Sequence, residues 1–393
     1  MATATSAPPG APAPGLLDAL SLLSEVADEL VVGTVRDTHF AWSDRVHGLL
    51  RGTRAAPEAH HGIAATVYAG LGAGLRAASR GLDAVAATGV GPRLESRTAG
   101  RYLNAAVNGL IGDRLERERP RLAIPMAVRA HGRDVPLRRE ALAAAYPEAG
   151  PRLVVFLHGL CESEDCWERS REELGTTYPS MLAERGWTPV LLRANTGLSL
   201  RENGAALTAL LQRLVDHWPA EVHRIALVGH SMGGLVLRAA TAVATEADAE
   251  ASWTRLVSDV VTLGAPHLGA PLAAYVGHGS RALARVPEAA AFGRILDQRS
   301  VGVHDLVVGL AEEVPPLPRA RYRLVSGTLT TSPRHPVGAV LGDLLVRPSS
   351  AYGRKRGQAD LFPDADVLHV PRAGHFALLN HPDVHRALGE WLG

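Results

Sequence analysis

The stretch Arg224 to Gly234, Arg-Ile-Ala-Leu-Val-Gly-His-Ser-Met-Gly-Gly, constrains the chain more than any other. An apolar strand candidate, Ile225 to Val228, runs directly into Gly229-His230-Ser231-Met232-Gly233 and then into a helix-forming run that reaches about Ala244. Small residues two before and two after Ser231 allow a sharp strand-to-helix turn that pushes the serine hydroxyl clear of the backbone, the geometry of a nucleophile. With 40 glycines in 393 residues the five-residue pattern alone is weak, and its flanks give it weight.

Those flanks continue in both directions. Leu153 to Leu157 is a continuous apolar run of the kind a strand covered on both faces requires. A helix at Tyr178 to Arg185, a strand at Pro189 to Leu192 and a long amphipathic helix at Arg201 to Trp218 lead into the central stretch. After it come strands at Leu256 to Leu263, Tyr322 to Val325 and Asp366 to Val370, with a last helix at Pro382 to Leu392. Ahead of all of these, Ala123 to Ala130 and Arg133 to Leu137 flank a His131-Gly132 turn, as an antiparallel pair would. Strand and helix alternate, which predicts an α/β fold with a doubly wound, mainly parallel sheet over residues 120–393 and a helical insertion at about 271–310.

Before that domain the pattern is helical. Apolar stripes at Leu16, Leu20, Leu23, Val26 and Leu30, at Ile63, Val67, Leu71, Leu75 and Leu82, and at Leu103, Val107, Leu110, Ile111 and Leu115 predict three amphipathic helices. Residues 16–119 are therefore expected to form an N-terminal helical extension, either a cap over the site or a packed structural element. Residues 1–15, rich in Ala, Pro, Thr and Gly without a basic start or an apolar core, read as a disordered leader rather than a signal peptide.

A formal charge of +1 gives no reason to expect a nucleic-acid partner. The longest uncharged apolar candidate, Ile63 to Leu75, falls short of the roughly 18 residues a spanning helix needs, so a cytoplasmic protein without an integral membrane segment is expected. Its two cysteines, Cys161 and Cys166, are then expected as free thiols and are too few for a metal site.

A serine nucleophile needs a base within hydrogen-bond reach and a third group to orient that base. On a sheet of this kind the order is nucleophile, carboxylate, histidine, each after a strand. His375, on the glycine-containing loop beyond the last strand, is the expected base; His369, His381, His385 and His267 are placed less well. Asp343 is the expected carboxylate, because Asp305 and Glu312 fall in the insertion and Asp360, Asp364 and Asp366 crowd the start of the last strand. The oxyanion needs two backbone N–H donors, expected from Met232 and, in His158-Gly159-Leu160, from Leu160.

With these residues in hand the chain resembles the α/β-hydrolase superfamily, and within it the serine esterases and lipases, including bacterial lipases and the GPI inositol-deacylase-like group. The resemblance covers about Ala123 to Gly393 and rests on Val155-Phe156-Leu157-His158-Gly159-Leu160, Gly-His-Ser-Met-Gly-Gly at 229–234, Thr262-Leu263-Gly264-Ala265-Pro266-His267-Leu268-Gly269, the Asp343 segment and Gly374-His375. Asn195-Thr196-Gly197 is similar to a lipase loop after the fourth strand. The resemblance implies carboxylic-ester hydrolysis on a small-molecule ester or lipid, without cofactor or metal, and makes His267 either a substrate-pocket residue or a packing residue beside the nucleophile; His158 and His230 are further candidate substrate-binding residues. An acyltransferase or thioesterase would use the same triad, and a catalytically silent lipid-binding protein would keep only the fold. The region before Ala123 departs from the lipase pattern, and the resemblance assigns it no role.

Overall fold

The computed structural model describes residues 94–246, 253–270, 300–310 and 314–393, together with five isolated earlier positions. Apart from those five positions, the predicted helices at Leu16–Leu30 and Ile63–Val85 lie outside the described residues, as does most of the predicted insertion. Two compact units are formed. One comprises Arg101–Glu118, Ala123–Ala273 and Ser300–Gly393 and carries the sheet; the other, Met1–Gly100, Arg119–Leu122 and Ala274–Arg299, consists mostly of residues outside the described set.

Eight strands make one sheet: β1 (Ala127–Ala130), β2 (Arg133–Val135), β3 (Arg152–Leu157), β4 (Thr188–Arg193), β5 (Arg224–His230), β6 (Val257–Leu263), β7 (Arg321–Thr328) and β8 (Asp366–Pro371). Their order is β2-β1-β4-β3-β5-β6-β7-β8. Strand β1 is antiparallel to both β2 and β4, and every pairing from β4 to β8 is parallel. This is the doubly wound, mainly parallel sheet expected from the alternation of elements. The first hairpin is shorter than its apolar pattern. Its leading strand begins only at Ala127, because the Ile124 N–H is held by the Asn108 side chain at 2.9 Å instead of by a neighbouring strand. Its return strand stops at Val135, because Pro136 has no N–H to continue the ladder.

Both faces of the sheet are covered, and β3 shows how. Leu153, Val155 and Leu157 enter one core with Leu207, Leu211 and Leu214 of the helix Leu200–His217 and Leu235 and Leu237 of the helix Met232–Glu246. Val154 and Phe156 point the other way, into a second core with Tyr178, Leu182, Val384 and Leu388 from the helices Tyr178–Ala183 and Pro382–Trp391. Alternation with period two, apolar on both faces, makes such an interior strand read as a continuous apolar run. Helix starts are locally encoded: Ser199 and Glu202 form a reciprocal capping box on Leu200–His217, and the His381 ring accepts the Asp383 N–H at the start of the last helix.

The helix Thr98–Glu118 packs by a different face from the one its periodicity predicts. Leu103 and Leu110 are exposed, whereas Asn104, Ala105, Asn108, Gly109, Gly112 and Leu115 are buried. Backbone at Ile111 leaves the helical region (φ −137°, ψ 23°), which kinks the helix and rotates the contact stripe. Small and amide side chains suit this face, because it lies directly on the loop that follows β4. A methyl added to Gly197 there would stand 2.2 Å from the Asn108 carbonyl oxygen. From Arg101 onward this helix belongs to the same unit as the sheet. Among the described residues no helix is long and apolar enough to cross a membrane.

Candidate active site

Each expected site residue sits at or beyond the C-terminal end of a strand. Ser231 directly follows β5 with φ +52°, left-handed backbone that a non-glycine residue adopts only where its surroundings enforce it. Two contacts enforce it here: the Ser231 N–H donates to the Leu263 carbonyl at the end of β6 (2.8 Å), and the helix starting at Met232 passes close under β3. That close passage requires glycine at 233, where an added Cβ would lie 2.4 Å from the Leu157 carbonyl oxygen and 2.6 Å from that of His158.

The carboxylate and the histidine meet. His375 Nδ1 lies 2.8 Å from Asp343 Oδ2, and both side chains are buried. The other oxygen, Oδ1, accepts the N–H groups of Leu345 (3.0 Å) and Val346 (2.8 Å), and the His375 N–H donates to the Asp343 carbonyl at 2.9 Å. The aspartate is thereby fixed from its own loop, which carries the short helices Pro336–Leu341 and Pro348–Ala351 on either side of it. Gly264, the residue after the one that binds Ser231, borders this pair: an added methyl would stand 3.1 Å from His375 Cε1 and 3.2 Å from Asp343 Oδ2. The ends of β5 and β6 and the loops bearing Asp343 and His375 converge on one place.

The loop after β3 completes the enclosure. A Cβ built on Gly159 would reach within 3.0 Å of Ser231 Cβ, so this loop lies against the serine. The N–H groups of Gly159, Cys161 and Glu162 are bonded to Glu162 Oε2, Thr196 Oγ1 and the Gly159 carbonyl respectively. Those of Leu160 and Met232 have no acceptor among the described residues. Met232 also opens a helix, where the dipole favours negative charge.

The three other histidines are wholly buried. His158 lies between the Gly159 carbonyl (2.9 Å) and the Ala194 N–H (3.1 Å), and burial lowers its pKa. His267 neighbours Arg238 and Thr262, and burial together with the Arg238 charge holds its pKa well below the ordinary value. His230 faces a buried carboxylate, Glu162, with Nδ1 2.8 Å from Oε2. Burial would raise the Glu162 pKa, but the charge and hydrogen bond of His230, followed by the Gly159 N–H, pull it down to about 2. Burial would lower that of His230, and the Glu162 charge and hydrogen bond raise it instead. Glu162 has no place in the sequence reading. Its only signal there is a carboxylate three residues after the glycine of His-Gly-Leu, matched to a histidine 68 positions later.

The rejected alternatives have other surroundings. His369 bonds Thr328 Oγ1 from within β8, Asp305 accepts the Leu200 N–H, and Asp360 pairs with Arg354 on the surface. Cys161 and Cys166 are free thiols, the first with its pKa pushed up to about 11 by burial.

A family model described as a PGAP1-like alpha/beta domain matches residues 191–287, a span that includes Ser231 but neither Asp343 nor His375. No curated protein matches the sequence. Among solved structures, a Bacillus licheniformis lipase in its mature form is 22% identical with a TM-score of 0.42, over 62% of this chain and 93% of its own. A probable hydrolytic enzyme from Pseudomonas aeruginosa is 18% identical with a TM-score of 0.39, over 69% of this chain and 95% of its own. A carboxylesterase from Bacillus subtilis is 15% identical with a TM-score of 0.34, over 62% and 85%.

Proposed function

We propose that this chain, an α/β-hydrolase superfamily member, is a serine hydrolase of carboxylic esters, with Ser231 as nucleophile, His375 as general base and acid, and Asp343 as the group that orients the histidine. The observation that carries this reading is the buried 2.8 Å contact between His375 Nδ1 and Asp343 Oδ2, on loops that converge with a serine held at φ +52°. A carboxylate on Nδ1 fixes the tautomer whose Nε2 accepts a proton and stabilises the imidazolium that results.

In this mechanism His375 takes the Ser231 proton as Oγ attacks the ester carbonyl carbon. The C–O double bond opens to an oxyanion, which the N–H groups of Leu160 and Met232 receive; both lack another acceptor among the described residues. Collapse of the tetrahedral intermediate breaks the bond to the alcohol, which leaves with the proton from His375. Water then attacks the acyl-enzyme, gives a proton to His375, and the acid departs as Ser231 regains its hydrogen.

Two measurements on the purified protein test this. A fluorophosphonate probe is expected to label Ser231, and Ser231→Ala to lower kcat on short p-nitrophenyl esters by on the order of a millionfold, to background. Retained turnover in Ser231→Ala overturns the assignment. Substrate preference is open to a chain-length series of the same esters, with competing alcohols or amines to detect acyl transfer.

A further inference from the structure

Beneath the proposed triad lies a second acid–histidine pair that the mechanism does not use. Glu162 and His230 are both buried, with 8% and 0% of their surfaces exposed. Glu162 Oε2 is shared: it accepts the Gly159 N–H at 2.7 Å and faces His230 Nδ1 at 2.8 Å. The Glu162 N–H in turn donates to the Gly159 carbonyl at 3.3 Å, so one residue holds Gly159 by both its backbone groups. On its far side, His230 Nε2 faces the His375 carbonyl oxygen at 3.4 Å, and the two imidazole rings lie 4.8 Å apart. A single carboxylate–imidazole pair therefore spans the loop after β3, the turn that carries Ser231, and the loop that carries His375.

The geometry points to Glu162 and His230 as positioning residues, a clamp that aims the Leu160 N–H and seats the His375 loop with respect to Ser231. This rests on the serine-hydrolase reading above. Leu160 directly follows the glycine that Glu162 pins, so its N–H direction is set by that pinning. Gly159 leaves no space for slack: an added Cβ would meet Glu162 Oε2 at 2.8 Å on one side and Ser231 Cβ at 3.0 Å on the other. Because Nδ1 faces a carboxylate and Nε2 a carbonyl, His230 satisfies both partners only when both nitrogens carry hydrogen, as the imidazolium. The charged and titratable groups around the pair agree with that state. Asp343 favours a charged His230 from across the site, whereas His158, the other histidine beside Glu162, is kept from charging chiefly by burial. Tyr102, Cys166 and Cys161 also feel the Glu162 charge, and burial raises the pKa of each. Among the described residues, His230 is thus the cation that neutralises Glu162 at close range.

Glu162→Gln retains the size and an acceptor oxygen but removes the charge. Expected is a fall in kcat on p-nitrophenyl acetate of roughly 10- to 100-fold with KM changed less than about threefold, as misaimed donors produce. Its kcat–pH profile should also gain a second ionisation between about pH 5 and 8, as an unpartnered His230 releases its proton. Glu162→Asp, which keeps the charge, is expected to restore part of the rate without the added ionisation. A Glu162→Gln protein with wild-type kcat and profile overturns the proposal. Should the variant not fold, ¹⁵N-histidine NMR of the wild-type protein decides: a histidine imidazolium that outlasts those of the exposed histidines as the pH rises is expected, and none that does so overturns the clamp. Fluorophosphonate labelling of wild-type Ser231 separates the two readings, since an unlabelled serine sinks the hydrolase reading itself, and a labelled serine with an indifferent Glu162→Gln sinks only the clamp.

Discussion

At the scale of single residues, the site is set by where hydrogen bonds are sent. Asp343 divides its two oxygens between His375 Nδ1 and the backbone of its own loop, so the carboxylate is fixed before it orients anything. Asp343→Asn keeps the shape but brings an amide that can present a donor to Nδ1, which favours the imidazole tautomer unable to take the serine proton. A drop in kcat on the order of 10⁴-fold is expected, with thermal unfolding close to wild type and slower fluorophosphonate labelling of Ser231; steady-state assays beside a melting curve check it. Ser231, Asp343 and His375 can be proposed from the sequence because Ser231 follows β5 directly while Asp343 and His375 lie on the loops that follow β7 and β8, in a chain order the fold fixes. Glu162 is not legible in the same way. Its partner is distant in sequence, and nothing in Cys161-Glu162-Ser163-Glu164-Asp165 distinguishes the carboxylate that faces His230 from Glu164 and Asp165, which pair instead with Arg129 and Arg101.

At the scale of elements, the same contrast separates the strands from the helix Thr98–Glu118. Leu153 to Leu157 and Ile225 to Val228 announce themselves because burial on both faces demands an unbroken apolar run. The helix does not, because its contact face is Asn104, Asn108, Gly109 and Gly112, chosen for closeness and hydrogen bonding rather than hydrophobicity. Its carbonyls and glycines meet the loop Asn195-Thr196-Gly197: Asn195 Nδ2 donates to the Gly112 carbonyl at 3.2 Å, and the Cys161 thiol next to the proposed oxyanion loop meets the Ala106 carbonyl at 3.6 Å. A side chain at 197 would collide with backbone on this helix, which cannot yield as a flexible side chain would. Gly197→Ala is therefore expected to destabilise the protein by about 1–3 kcal/mol, read as a lower urea midpoint; an unchanged midpoint would mean that the helix is not seated on this loop.

At the scale of the whole sheet, the two ends of the parallel strands do different work. Proposed chemistry occupies the C-terminal ends, where Ser231 and Gly159 follow β5 and β3 and the loops bearing Asp343 and His375 follow β7 and β8. Near the N-terminal ends is a charge network with no catalytic partner: Asp259 of β6, wholly buried, pairs with Arg323 of β7 and with Arg224 of β5 at 2.8 Å, and Arg323 reaches Asp366 of β8 at 3.4 Å. Four adjacent strands are thus linked by charges in addition to packing, which an apolar pattern cannot forecast and which makes Asp259 look out of place in Val257-Ser258-Asp259-Val260-Val261. Removing the negative charge leaves the Arg323 guanidinium, 3% exposed, without its buried counter-ion. Such a loss costs about 3–5 kcal/mol because the orphaned charge stays desolvated. Asp259→Asn is accordingly expected to lower the urea midpoint by an amount corresponding to that figure while the folded protein keeps the kcat/KM of the proposed ester hydrolysis, since the network lies at the opposite ends of the strands from Ser231. Equilibrium unfolding and ester kinetics on the same preparation check both halves, and a loss of kcat/KM in the folded protein would show that the two ends of the sheet are coupled.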